Sequence, residues 1–168
     1  MTDATPATPA TGLATDHAEA TDPASYAFFT REKVRFSDVD RYRHINNVAV
    51  ATYCETGRVE FAEFVAPGST SGEGAGWVIA RLSVTFLAQA NFPGDVVVGS
   101  RVEHVGRTSC RVGQGLFKDG VCFATAEAVL VWVDMDDGGR PAPLPEDLVK
   151  ALRLNATGGA RSEANVQV

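Results

Sequence analysis

The run Asp38-Val39-Asp40-Arg41-Tyr42-Arg43-His44-Ile45-Asn46-Asn47 puts two carboxylates, an imidazole and two carboxamides within ten residues. A strand-like run, Lys33-Val34-Arg35-Phe36, precedes it, and a stretch of helical character extends to Val65. These groups therefore crowd a turn that feeds a helix N-terminus. Such a terminus carries free backbone N–H groups and a partial positive charge. The combination suits chemistry on a polarised carbonyl, because the donors can hold a developing oxyanion while a carboxylate attacks or activates water.

The elements that must position these residues are legible around them. Val50, Tyr53, Cys54, Gly57, Phe61, Phe64 and Val65 recur at three- and four-residue steps, which predicts a helix over 47–65 with one apolar face. Asn46 or Asn47 is a natural N-cap, and Pro67-Gly68 ends the element. Gly57 lowers helix propensity by roughly 1 kcal/mol relative to Ala, so its place on the apolar face predicts close approach to another element. A first strand is expected over 33–38. A Gly- and Ser-rich loop, 66–76, leads to four further strands over 77–88, 95–105, 108–118 and 121–134. Asp119-Gly120 is a two-residue hairpin signal, and strands joined by short turns are antiparallel neighbours. Pro145 then opens a short helix to about Leu154. Strand, long helix and four antiparallel strands make an α+β domain, with the helix covering one sheet face.

Composition narrows the function. The formal net charge is −6 and 45% of residues are hydrophobic, which excludes a general nucleic-acid binder and favours a globular domain. Asp3, Asp16, Glu19 and Asp22 account for four of those charges, so the rest of the chain is near −2. Residues 1–25 are rich in Ala, Thr, Pro and Asp and read as a disordered tail. The folded domain is expected over 26–155, with 156–168 frayed. Cys54, Cys110 and Cys122 have neither disulfide-framework nor metal spacing, so a reducing, cytoplasmic setting is expected. No apolar run approaches the ~20 residues of a membrane span, and no basic then apolar N-terminal pattern marks a secretory signal.

The pattern Asp-x-Asp-x-x-x-His-x-Asn-Asn, followed by a helix carrying Tyr53-Cys54-Glu55 and Arg58, resembles the hot-dog-fold acyl-CoA thioesterases of the 4-hydroxybenzoyl-CoA thioesterase type. In many of these the helix reads Tyr-x-x-Tyr-Phe-Glu-x-x-Arg, and the ending Pro-Leu-Pro-Glu-Asp-Leu is similar too. The resemblance spans about residues 28 to 154. It implies a long central helix wrapped by a curved antiparallel sheet of about five strands. It also implies dimers or tetramers with active sites between chains, an acyl-CoA or acyl-carrier-protein substrate, no metal, and no cofactor beyond the coenzyme A of the substrate. By motif position Asp40 is the nucleophile or general base, and the backbone N–H of Asn47 polarises the thioester carbonyl. A thiolate leaves readily, so little acid assistance is needed. Arg43 stands where many members have Gly.

Each residue has a plainer reading beside the chemical one. Asp40 also suits a turn, and Asp38 is better read as structural. His44 acts as acid/base or orients the loop. Asn46 caps the helix or touches substrate. Arg43, Arg107, Thr108 and Ser109 are candidates for the CoA phosphates, since Arg suits phosphate, though exposed Arg is usually just solvated. Glu55 is an alternative catalytic carboxylate or the ion-pair partner of Arg58, three residues on. Cys54 lacks a base and is not read as a nucleophile. Trp77, Phe86 and Phe92 either line an acyl pocket or, by default, pack in the core. The reading is a thioesterase hydrolysing acyl-CoA to free acid and CoA. The alternatives are an acyl-carrier-protein thioesterase, or a non-catalytic hot-dog protein that binds acyl thioesters.

Overall fold

The structure, a computed structural model, describes residues 18–156. The expected frayed end from 157 onward and the tail up to residue 17 lie outside the described residues. Six strands are described: β1 (Phe28–Lys33), β2 (Ala75–Phe86), β3 (Asp95–Val105), β4 (Ser109–Lys118), β5 (Val121–Asp134) and the two-residue β6 (Arg140–Pro141). The long helix α1 is Asn47–Val65, and α2 is Glu146–Leu154. The curled antiparallel sheet has the order β1-β3-β4-β5-β2, with β6 added beside β5. This is the hot-dog arrangement the motif resemblance implied.

Helix α1 starts where Asn46, in an extended conformation, accepts the Ala49 N–H through its side chain at 2.8 Å. Its inner face buries Val50, Tyr53, Cys54 and Phe61 against the sheet, each large side chain contributing about 1.5–3 kcal/mol. Two clusters divide the core along the helix. Ala49 to Cys54 pack with Val96, Val98, Leu116 and Ala124, while Phe61 and Val65 pack with Val102, Val112, Leu130 and Trp132. Leu148 and Leu152 of α2 close the second cluster. Gly57 makes the expected close approach, since a Cβ there would lie 2.8 Å from Val98 Cγ1 and 3.0 Å from Gln114 Nε2. Phe64, expected inside, is partly exposed and instead stacks on Phe28 with ring centroids 4.8 Å apart.

The chain departs from expectation at its start. The first strand lies at Phe28–Lys33, not 33–38, and the latter stretch turns into a 3₁₀ turn at Phe36–Asp38. The cause is Asp38, whose Oδ2 accepts the Arg35 N–H at 2.8 Å and ends the extended run. Residues 18–25, assigned to the tail, are ordered against the outer face of the sheet. The Tyr26 hydroxyl donates to the Ala20 carbonyl at 2.6 Å, and Arg101 pairs with Glu19 at 3.2 Å. The Tyr26 ring fills a trough made by Gly99 and Gly115, where any Cβ would lie 2.6 Å from it.

Candidate active site

Residues 38–47 form a tightly bonded loop on the N-terminus of α1. Asp40 and His44 pair through the backbone, with the Asp40 N–H donating to the His44 carbonyl at 2.8 Å. Asp40 Oδ1 accepts the Tyr42 and His44 N–H groups at 2.7 and 3.1 Å. One carboxylate oxygen thus fixes the turn, while among the described residues Oδ2 has no partner. The side chain is held in orientation on an exposed residue. The turn reading of Asp40 thus rests on Oδ1 alone.

Asn46 joins loop to helix. Its Oδ1 caps Ala49, and its Nδ2 donates to the Asp38 carbonyl at 2.8 Å, as does its own backbone N–H. Both ends of the amide are engaged, which fixes Asn46 between the loop and the helix. The next two helical N–H groups, of Asn47 and Val48, donate to no intramolecular partner among the described residues and lie at the exposed start of α1. They are the free donors a helix N-terminus offers. Asp38 is structural, as its spacing suggested. Besides Arg35 it accepts the Tyr53 hydroxyl at 2.8 Å, which bolts the loop to the second turn of α1. Burial first, then the Asp38 carboxylate, pushes the Tyr53 hydroxyl well above its ordinary range, so Tyr53 is a permanent donor.

His44 is fixed by its backbone, in a bridge to Asn91, and its ring stacks on Tyr42. Among the described residues neither ring nitrogen has a partner. Arg43 adopts a left-handed conformation, φ 69°, at the tip of the turn and is exposed. That explains why Gly suits the position. Arg107, Thr108 and Ser109 do not join this group within one chain. They occupy the β3–β4 turn, where the Trp132 N–H donates to the Thr108 carbonyl and the Leu144 N–H to that of Arg107. The Asp40 loop meets Ala90 and Asn91 through Ile45 and His44, at the other end of the strands, about 30 Å away at ~3.3 Å per strand residue.

Glu55 and Arg58 do not form the expected ion pair. Arg58 turns inward and donates through Nη1 to Gln114 Oε1 at 3.3 Å, while Glu55 stays exposed. Burial lowers the guanidinium pKa from its ordinary value, against smaller opposing effects of Cys54 and Glu55. Gln114 donates on to the Cys54 carbonyl and to Ser100 Oγ. Cys54 is inert, its thiol pushed up to about 11 by burial. Trp77 lines a cavity of about 270 Å³ beside α1, while Phe86 and Phe92, packed in the core by default expectation, are 55% and 37% exposed. Sequence reasoning overlooked Tyr53 and Gln114 as site-building residues. For Tyr53 a signal existed, since a hydroxyl on a buried helix face must find an acceptor.

A hot-dog domain that presents a fixed carboxylate beside free helix N–H donors is a protein of the thioester-processing class. Residues 34–152 match the model of the thioesterase-like superfamily, and the chain belongs to it. A predicted thioesterase from Bacillus stearothermophilus is 32% identical, with a TM-score of 0.70 over 77% of this chain and 96% of that one. A Thermus thermophilus thioesterase complexed with coenzyme A and zinc is also 32% identical, with a TM-score of 0.69 over 77% and 93%. A chloroplastic acyl-acyl carrier protein thioesterase of Arabidopsis thaliana is 28% identical over 117 residues, 67% of this chain. The chain spans 61% of that relative's length.

Proposed function

We propose that this protein hydrolyses acyl thioesters of coenzyme A, with Asp40 as base or nucleophile and the Asn47 N–H as the donor to the thioester oxygen. The observation that carries this is the split use of the Asp40 carboxylate. Oδ1 is tied to two backbone N–H groups and Oδ2 is left open, next to a helix start whose first N–H groups are unpaired. Preorganised donors of this kind favour the transition state because they need no reorganisation as charge develops. His44 orients the turn, and Arg43 extends from its tip toward the solvent side, where a phosphate-bearing substrate arrives. The Thermus thermophilus relative, whose structure holds coenzyme A, supports the CoA ester as substrate.

The site is completed by a second copy. Strand β2 is a long sheet edge carrying exposed Val78, Ile79 and Phe86, an arrangement that soluble chains normally cover. Two-fold antiparallel pairing of β2 edges would carry the β3–β4 turn of the second copy, with Arg107, Thr108 and Ser109, toward this chain's Asp40 end. The Arabidopsis relative favours a second reading, an acyl-carrier-protein ester. Thiol release from matched acyl-CoA and acyl-carrier-protein esters tests both. Faster turnover of the CoA ester is expected, carrier-only turnover would replace it with the second reading, and release from neither would leave a non-catalytic binder.

A further inference from the structure

The cavity beside α1 contains a cation that the hydrolytic chemistry does not use. Arg58 is only 7% exposed, yet no carboxylate lies within 4.0 Å of it among the described residues. Among the described residues its hydrogen-bond partner is the neutral Gln114 amide, through a single Nη1 donor. Gln114 cannot turn to offer more, because its own amide N–H groups are engaged by Cys54 and Ser100. A guanidinium has five donors, and buried charge is ordinarily paired. The same Arg58 lines the 270 Å³ cavity, whose other walls include Val59, Thr70, Trp77, Ile79 and Leu130. Glu55, the one acid on the lining, is exposed at the rim.

The cavity lies further along α1 from the candidate reaction centre. Asn47, Ala51, Glu55 and Arg58 follow one another at four- and three-residue steps, so they lie on one face of α1. The axial rise from Asn47 to Arg58 is ~16 Å at ~1.5 Å per residue.

We propose that this cavity receives the far end of the acyl group and that Arg58 selects acyl chains ending in a carboxylate. This rests on the thioester-hydrolase reading for its chemistry. The apolar walls accept the methylene stem. The guanidinium accepts the terminal carboxylate, for which its planar fork is suited. Loss of the carboxylate leaves the buried cation unpaired, so a methyl-ended chain of equal length is disfavoured.

The test uses the full chain with adipoyl-CoA and hexanoyl-CoA, which match in length and differ at the far end. Wild type should show a kcat/KM at least about tenfold higher for the adipoyl ester, within the range for a charged hydrogen bond. The ratio should collapse toward or below one in Arg58→Gln. A wild-type ratio at or below one, or a ratio that survives in the variant, overturns the proposal. Because Arg58→Gln is a buried change, the free acids supply a second readout on wild type, in which adipate should raise the Tm more than hexanoate. That shift in the absence of any ester hydrolysis would keep the anion site and discard the hydrolase reading. Equal shifts would discard the site.

Discussion

Arg43 carries a backbone strain that a Gly would not, since its φ of 69° lies in the left-handed region. Non-Gly residues there cost about 1–2 kcal/mol. Arg43→Gly should therefore leave stability unchanged or raise it by up to about 1 kcal/mol, its gain partly offset by unfolded-chain entropy. Arg43→Val should lower it, and denaturant midpoints of the two variants decide the matter; a more stable Val variant would contradict the strain. Asn46→Ala removes both a helix cap and the clamp on the Asp38 carbonyl. It should cost about 1 kcal/mol or more of stability and lower kcat, because the Asp40 turn loses its tie to α1. The cysteines make a further point at this scale. Burial pushes Cys54 up to about 11 and Cys110 up to about 12. Thiolate, the reactive form, is then negligible near neutrality. A thiol reagent at neutral pH should leave both unmodified until the protein is unfolded, and rapid native labelling of either would contradict their burial.

Helix α1 and strands β3 to β5 were legible in the sequence because each has a strong local signal. The helix has a periodic face, an Asn cap and a Pro-Gly stop, and the strands are separated by Gly-containing turns. The first strand was misplaced because Lys33 to Phe36 looks extended by composition, whereas the Asp38 contact to the Arg35 N–H decides it, and that contact depends on side-chain geometry. The same holds for the site. That Asp40, His44 and the start of α1 share one turn could be read from their closeness in sequence. The inward turn of Arg58 to Gln114 could not, since those residues are 56 positions apart and meet only through packing. Gly57, read correctly, gives the test of that packing. Gly57→Ala improves helix propensity by ~1 kcal/mol, but the added Cβ meets Val98 at 2.8 Å. Overpacking of this kind costs about 1–3 kcal/mol, so the net change should be destabilising, and a rise in Tm would contradict the tight contact.

At the scale of the whole molecule, the two faces of the sheet have different occupants. The inner face holds α1. Part of the outer face holds Tyr26, buried over Gly99 and Gly115, with the Arg101 guanidinium 5.4 Å from its ring. The segment from residue 18 is thus part of the folded unit. Tyr26→Ala should cost about 3 kcal/mol or more, as for other buried aromatic rings; a loss below 1 kcal/mol by urea unfolding would show the segment to be dispensable. The free β2 edge separates a one-chain site from a two-chain site. Light scattering at micromolar concentration should give a dimer or larger, and a monomer would remove the second copy from the proposed site.

The central claim is that the open oxygen of Asp40 does the chemistry, and one comparison tests it most directly. Initial rates of thiol release from a small acyl-CoA panel are measured for wild type, Asp40→Asn and Glu55→Gln under identical conditions. The account predicts that Asp40→Asn lowers kcat by about two orders of magnitude or more, as for loss of a general base or nucleophile, and that Glu55→Gln falls far less. Near-wild-type turnover by Asp40→Asn, with collapse in Glu55→Gln, would move the chemistry to the helix carboxylate and contradict the account.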